Sequence, residues 1–418
     1  MPNVTVAGAG GATVTLVLDS ASNAALANQL ASAITAGVKN GSIAPATSLA
    51  GPPPSVPAGK IGEWVQETNG ATFLPNDYGA IVATAKKSTL FGTGEDNVSV
   101  LGSSGGLTFY SNGGSGTVVA GGGDNRIYVP TTGKGAWSIN TGNGDDIIQA
   151  LGQGNDTIRA GGGRNTIQLG GGNDVVESEG KDRIVLGHGS ATIVADGAST
   201  EVWGGAGSMF FVGGAGKATV FGGTGSATIY GGSGASEFHG GSAGMNEIYA
   251  GTGKATVFAG GDGDVLYAEG EKTQLLYAGD GATTLFGALG GGDNEFYAGS
   301  GDTDITGGWG DDLFVAGLGD STITGGPGKD VYKFVDGLSG GADLVYGFDN
   351  NDKIQLDGYG KNAINDALAS QTKVSGGVMI TLADATTVTF MGLSSLTKAN
   401  FTGGSSGIGD NSGHGHGC

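Results

Sequence analysis

The chain has 418 residues, 90 of them glycine and nine proline, with 39 acidic against 19 basic side chains and a formal charge of −20. Glycine that does not recur at every third place, beside so few prolines, excludes a collagen triple helix, and a hydrophobic fraction of 38% spread between the glycine clusters argues against a disordered acidic coil. A surface so acidic repels nucleic acid and anionic membranes, and carboxylates crowded on it require cations.

Met1-Pro2-Asn3-Val4 opens without a basic segment and apolar run, so no ordinary signal peptide is expected. No apolar stretch is long enough for a membrane span, and the lone Cys418 excludes an internal disulfide. Strands are expected at 4–6 and 12–18. Asp19 or Ser20 caps a helix over 21–34, with Ala24, Leu26, Leu30, Ala33 and Ile34 as its apolar face. Gly51-Pro52-Pro53-Pro54 breaks regular structure, and short strands follow over 61–82 around Trp64, Phe73 and Tyr78. Residues 1–87 are thus expected to form a small mixed cap or accessory domain, covering the apolar cross-section that a stacked fold exposes at its end.

Repeats occupy about 89–334. The central run reads GGAGSMFFV, GGAGKATVF, GGTGSATIY and GGSGASEFH from Gly204, Gly213, Gly222 and Gly231, a period of nine. Each unit offers a glycine turn and a short strand, which predicts an all-β, right-handed parallel β-solenoid. Beyond it, 342–349 and 352–356 are strands joined by acidic turns. A short helix is expected near 362–369, then a hairpin from 378–382 and 386–390. Glycine, serine and histidine dominate 402–418, expected as a flexible tail.

The repeats resemble the Gly-Gly-x-Gly-x-Asp-x-apolar-x nonapeptides of RTX proteins, the type I secreted calcium β-roll family. Gly142-Asn143-Gly144-Asp145-Asp146-Ile147-Ile148, Gly152-Gln153-Gly154-Asn155-Asp156-Thr157-Ile158, Gly308-Trp309-Gly310-Asp311-Asp312-Leu313-Phe314 and Gly326-Pro327-Gly328-Lys329-Asp330-Val331-Tyr332 carry the likeness. GGPGKDVYKF running into DLVYGFDNNDKIQL, then a hairpin ending VTFMGLSSLTKANF, is similar to the family's C-terminal secretion module. The resemblance spans about 89–401. It implies unfolded export by a dedicated ABC-type machinery and folding outside the cell or at its surface when calcium arrives.

The residues give a reason for that cation. In Gly-x-Gly-x-Asp turns, glycines let the backbone curl and present carbonyl oxygens, and the aspartate adds the anionic ligand of a hard, oxygen-loving ion. With nine residues per half coil, turns on one edge recur every eighteen. Asp156 with Asp174, and Asp312 with Asp330, then share an edge, whereas the intervening Asn165 and Ser321 make the opposite edge weaker. Asp96 and Asp146 fit the motif outside these pairs, and Asp262 and Asp264 sit out of phase. At the aspartate phase the centre carries Met209, Ala218, Ala227, Ser236, Asn246 and Ala255. This predicts a calcium-poor section at 204–258 between calcium-binding sections at 88–203 and 259–335, with a C-terminal cap and secretion module at 336–401. The central section is held instead by burial of Phe210 or Phe211, Val220, Ile229, Phe238, Ile248 and Val257.

The residue after each inward apolar position is often aromatic: Phe221, Tyr230, Tyr249, Phe258, Tyr267, Tyr277, Phe286 and Tyr297, with His239 in the same phase. Strand alternation turns this stripe outward, one ladder per sheet, either as mutual stacking or as a contact surface. No His-Glu-x-x-His, nucleophile elbow or phosphate loop is present, so no catalytic residue is assigned. The pair Asp145-Asp146 lacks the cleft a glycosidase needs, and the His414/His416/Cys418 tail lacks preorganisation for zinc or copper. The expected role is a secreted, calcium-stabilised structural or adhesive protein that self-associates. A β-helical polysaccharide-active enzyme and a module binding cell-surface carbohydrate are the alternatives.

Overall fold

The structure, a computed structural model, describes residues 1–47, 52–92, 94, 97–197, 199–243, 245–287 and 291–403. It divides into two compact units, Met1–Ala235 and Ser236–Cys418.

The first unit opens with an antiparallel hairpin, Asn3–Ala7 against Thr13–Val17, and the helix Ala21–Asn40. Ser20 is the cap, its side chain accepting the Asn23 N–H at 3.1 Å, and Gly41 ends the helix in the left-handed region at φ 80°. The helix passes the expected end at 34 because Val38 still packs against the apolar cluster. Its buried face is Ala24, Ala27, Ala31 and Ile34. Ala33 is exposed, one step off that stripe. Hairpin and helix pack through Val4, Val6 and Leu16 onto Val65, Val82, Leu101 and Val119, on the outer side of a sheet.

That sheet starts earlier than the glycine period shows. Ile43–Thr47 pairs in parallel with Ile61–Gln66, which pairs with Tyr78–Ala83 and then Val98–Gly102. Gly70–Phe73 and Ser88–Phe91 begin the second sheet. Only the hairpin and helix are therefore a cap, and the boundary expected at 87 falls inside the coil stack.

Every solenoid pairing in this unit is parallel, with neighbours one coil apart. Ile139, Ile158, Val176, Ile193, Phe211 and Ile229 form one inner column, and Ile148, Ile167, Ile184, Val202 and Val220 the other. Phe211, not Phe210, is the inward residue. Turns stack so tightly that glycine is obligatory in places. Gly172 has φ 95°, and a Cβ there would lie 2.1 Å from the Gly154 carbonyl oxygen.

The second unit repeats the plan, with Phe238, Val257, Leu276, Phe296, Phe314, Tyr332 and Ile354 as one inner column. Its end follows the expected order. Helix Ala363–Ala369 precedes the antiparallel strands Gly377–Thr381 and Thr387–Met391, and Phe401–Thr402 adds a last parallel pairing to Lys353–Asp357. Of the expected tail, 404–418 lie outside the described residues. Among the described residues no helix is long and apolar enough to cross a membrane.

Candidate functional site

Each repeat aspartate sits where a glycine turn enters a strand, buried beneath the turn. Asp174 Oδ1 accepts the backbone N–H of Asp156 at 2.8 Å, and Asp330 Oδ1 that of Asp312 at 3.0 Å, each across 18 residues. Both pairs thus lie on adjacent coils of one edge. The ladder continues: Asp156 Oδ1 takes the N–H of Trp137 at 2.7 Å, Asp312 Oδ1 that of Asn294 at 2.8 Å, and Asp352 Oδ1 that of Asp330 at 3.0 Å. Asp146 Oδ1 accepts the N–H of Asn125 at 2.7 Å in the same manner. Asp96 lies outside the described residues.

One carboxylate oxygen is therefore occupied by backbone. The other, Oδ2 of Asp146, Asp156, Asp312, Asp330 and Asp343, is buried with no hydrogen-bond partner. Burial, the largest cause, pushes Asp146 up to about 6, Asp156, Asp330 and Asp343 to about 7, and Asp312 to about 8. Asp174 is likewise raised to about 6 by burial. At Asp146, Asp156, Asp312, Asp330 and Asp343 neighbouring carboxylates add to the rise, while backbone N–H donors and, foremost at Asp343, the Ser321 side chain oppose it.

The orphan oxygens of Asp312 and Asp330 face glycine-lined space. A Cβ built on Gly307 would lie 2.5 Å from the Gly325 carbonyl oxygen and 2.7 Å from Asp312 Oδ2; one on Gly325 would lie 2.6 Å from Asp330 Oδ2. Among the described residues no three His, Cys, Asp or Glu side chains form a metal cluster. The donor set is instead carboxylate plus main-chain carbonyl, the chemistry of a hard divalent cation, and an unpaired buried carboxylate is costly without one. The residues fit calcium.

Of the other buried acids, Glu63 has both carboxylate oxygens without a hydrogen-bond partner and is raised to about 7 by burial, whereas Asp264 and Asp182 are satisfied. Asp264 accepts N–H groups from Asn246, Gly260 and Gly261, and Asp182 accepts from Asn165 and Ser178. The exposed Asp262 accepts the N–H of Ala282 through Oδ1 at 2.8 Å. Asp343, Asp352 and Asp182 escaped the sequence reading because their coils are irregular: they bond across 22, 22 and 17 residues. The usable signal was an aspartate directly before an alternating strand, as in DLVY and DKIQL. At the aspartate phase of the centre, Met209, Ala218 and Ala227 of the first unit and Asn246 and Ala255 of the second are buried.

The aromatic residues of the expected stripe lie on the outer face of their strands, half-buried, with Tyr230 the most open of them at 38%. In the second unit His239, Phe258, Tyr277 and Tyr297 stack at 4.6, 4.8 and 4.3 Å on one sheet. Tyr249, Tyr267 and Phe286 stack at 4.4 and 5.1 Å on the other. In the first unit Phe221 stacks on Trp203 at 4.4 Å, and Tyr230 meets Phe210 at 5.7 Å. A further ladder there, Phe73, Phe91, Tyr110 and Tyr128, precedes or interrupts the glycine period and carried no periodic signal.

Comparison with known proteins agrees with the turn chemistry. The family model of the RTX calcium-binding nonapeptide repeat (4 copies) matches residues 151–182, 212–243 and 306–333. An RTX calcium-binding repeat region is therefore present, and Ca2+ is the ion such repeats bind. The middle match covers turns carrying Ala218, Ala227 and Ser236, so it rests there on glycine and strand periodicity rather than on ligands. No curated protein matches the chain. The crystal structure of extracellular lipase LipA from Serratia marcescens is similar at 16% identity and a TM-score of 0.20, covering 49% of this chain and 39% of the lipase.

Proposed function

We propose that the chain is an extracellular, non-catalytic structural protein, exported by a type I route, whose solenoid is set by calcium and whose outer aromatic faces hold copies together in a surface layer, fibre, matrix or adhesive assembly. Asp146, Asp156, Asp174, Asp312, Asp330 and Asp343 would hold calcium with the neighbouring glycine carbonyls, and Asp96 carries the same motif. The ion would neutralise the buried carboxylates and tie successive turns together. Residues 204–258 would be calcium-poor.

The observation that carries the assembly reading is the pair of stacked ring ladders on both sheets of the second unit. Rings stacked along a coil are rigid and lose little entropy on burial, which suits a repeating contact between like surfaces. Sedimentation velocity in calcium, over a wide concentration range, should show concentration-dependent oligomers. A strictly monodisperse monomer would overturn the reading.

The same ladders favour a second reading, a carbohydrate-binding surface, since sugar faces stack on flat aromatic rows. Saturable glycan binding by a monomer, without turnover, would select it. Turnover abolished by one carboxylate substitution in a folded protein would instead reveal an enzyme.

A further inference from the structure

We propose that the buried side-chain amides of Asn125, Asn165, Asn246, Gln274 and Asn294 take the place of a calcium ion, closing their turns to metal and setting them without it. The proposal rests on the calcium reading and divides the turns into two chemical kinds.

Several of these amides play the aspartate's part in the ladder through their oxygen. Asn125 Oδ1 accepts the N–H of Leu107 at 2.9 Å, Asn165 Oδ1 that of Asp146 at 3.0 Å, and Asn294 Oδ1 that of Gln274 at 3.2 Å. Asn246 and Gln274 accept from nearer turn residues, Gly241 at 3.0 Å and Glu269 at 2.7 Å. These bonds fix which amide atom is nitrogen.

The nitrogen is the counterpart of the aspartates' second oxygen. That oxygen has no partner in Asp146, Asp156, Asp312 and Asp330, yet every amide nitrogen has one. Asn125 Nδ2 donates to the carbonyls of Gly121 and Gly123 at 3.0 and 2.9 Å and to Asp146 Oδ1 at 2.9 Å. Asn165 Nδ2 reaches Gly161 O at 2.9 Å and Asp182 Oδ1 at 2.8 Å, and Asn246 Nδ2 reaches Gly241 O and Asp264 Oδ1, both at 2.8 Å. Asn294 Nδ2 donates to Gly292 O at 2.7 Å. Gln274 shows the arrangement most fully: Nε2 lies 2.6, 2.8 and 2.7 Å from the carbonyls of Gly251, Gly253 and Glu269.

Acceptor oxygens converging on one point are what a cation needs, and an NH2 group already occupies that point: among carbonyls at Asn125 and Gln274, between one carbonyl and one carboxylate at Asn165 and Asn246, and against a single carbonyl at Asn294. Its hydrogens supply the positive end that satisfies the carbonyls, while its nitrogen offers no ligand to a metal. An exposed amide could turn away to admit an ion. These cannot do so cheaply, being between 0% and 2% exposed.

The test counts bound calcium on the full chain by equilibrium dialysis with elemental analysis, beside thermal unfolding in chelator. Gln274→Glu and Asn125→Asp replace the donor by an anion among carbonyls, and each should bind one further ion per chain and lose stability in chelator. Asp330→Asn should bind one ion fewer, yet unfold later in chelator than Asp330→Ala, because its new amide can close the turn. Wild-type protein that binds no calcium overturns the calcium reading itself. Wild-type binding with an unchanged count in folded Gln274→Glu and Asn125→Asp overturns the amide proposal alone. If both variants fail to fold in calcium, equal chelator midpoints for Asp330→Asn and Asp330→Ala overturn it.

Discussion

The carboxylate of Asp174 holds the main chain of Asp156 one coil away, while Asp156 holds that of Trp137 and keeps its second oxygen unpartnered. Asp156→Ala should therefore act differently with and without metal. On the proposed calcium reading it loses a ligand in calcium, and it leaves the buried Trp137 N–H unsatisfied, for about 1–3 kcal/mol. In chelator the loss should shrink, because a buried carboxyl raised to about 7 goes as well. Calorimetry in both conditions checks this; equal losses would contradict it.

The pH response follows from the same groups. Burial raises Asp146, Asp156, Asp312, Asp330 and Asp343 from 3.8 to between about 6 and about 8. The folded, metal-free protein then keeps protons that the unfolded chain releases. That stabilising contribution is complete below about pH 3.8 and is lost as pH rises through about 6–8. Calcium-free protein should thus have a higher urea midpoint near pH 5 than near pH 8. Calcium affinity should climb across the same window, since the ion displaces those protons. Greater metal-free stability at the higher pH would refute the assignment of these side chains.

Gly325 shows how little room a turn leaves. A Cβ there would lie 2.2 Å from the Tyr332 hydroxyl as well as close to Asp330 Oδ2. Gly325→Ala should destabilise by about 1–3 kcal/mol, in the range of overpacked cores. Adding Tyr332→Phe removes the hydroxyl and should recover part of the loss. Additive losses in the double variant, measured by denaturant unfolding, would show that the hydroxyl is not the obstacle.

Tyr277 lies between Phe258 and Tyr297, at 4.8 and 4.3 Å. Tyr277→Ser should cost about 1–3 kcal/mol of stability through two lost ring contacts. It should also reduce oligomerisation in calcium by about tenfold or more, as for a central interface residue. Sedimentation reads both monomer and assembly, and undiminished assembly would remove this ladder from the contact.

Asn23 fastens the cap to the stack, its amide donating to the carbonyls of Ala120 and Thr141 at 3.3 and 2.9 Å. Next to it, Asp19 accepts the N–H of Asn143. Asn23→Ala should cost about 1–3 kcal/mol by leaving two buried carbonyls short of a donor. Hydrogen exchange should quicken in the helix Ala21–Asn40 and not in distant coils. Uniform acceleration would show that the cap is not fastened there.

Much of this architecture was legible because a parallel stack translates sequence period directly into neighbours. The separation of Asp156 from Asp174 placed them on one edge, and alternation at Val220-Phe221 placed one side chain inside and one outside. The coils between 43 and 91 were hidden because proline-rich and irregular connections, not Gly-x-Gly turns, join their strands. Asp343 and Asp352 were hidden by coils lengthened to 22 residues between bonded partners. The bonding of Asn246 was hidden for a chemical reason: a side-chain amide can present either its oxygen or its nitrogen, and only its surroundings reveal that the nitrogen faces the Gly241 carbonyl.

Because Ile158 meets Ile139 on one side and Val176 on the other, each always the same kind of residue, the stack has no intrinsic length. A gene segment encoding one whole coil could be duplicated or deleted, and the inner aliphatic residues of the column around Ile158 would still face an apolar neighbour. A slip of a single residue would instead turn the Ile158 row toward water. A solenoid of this kind can therefore change its reach by unequal recombination while its apolar inner column stays filled.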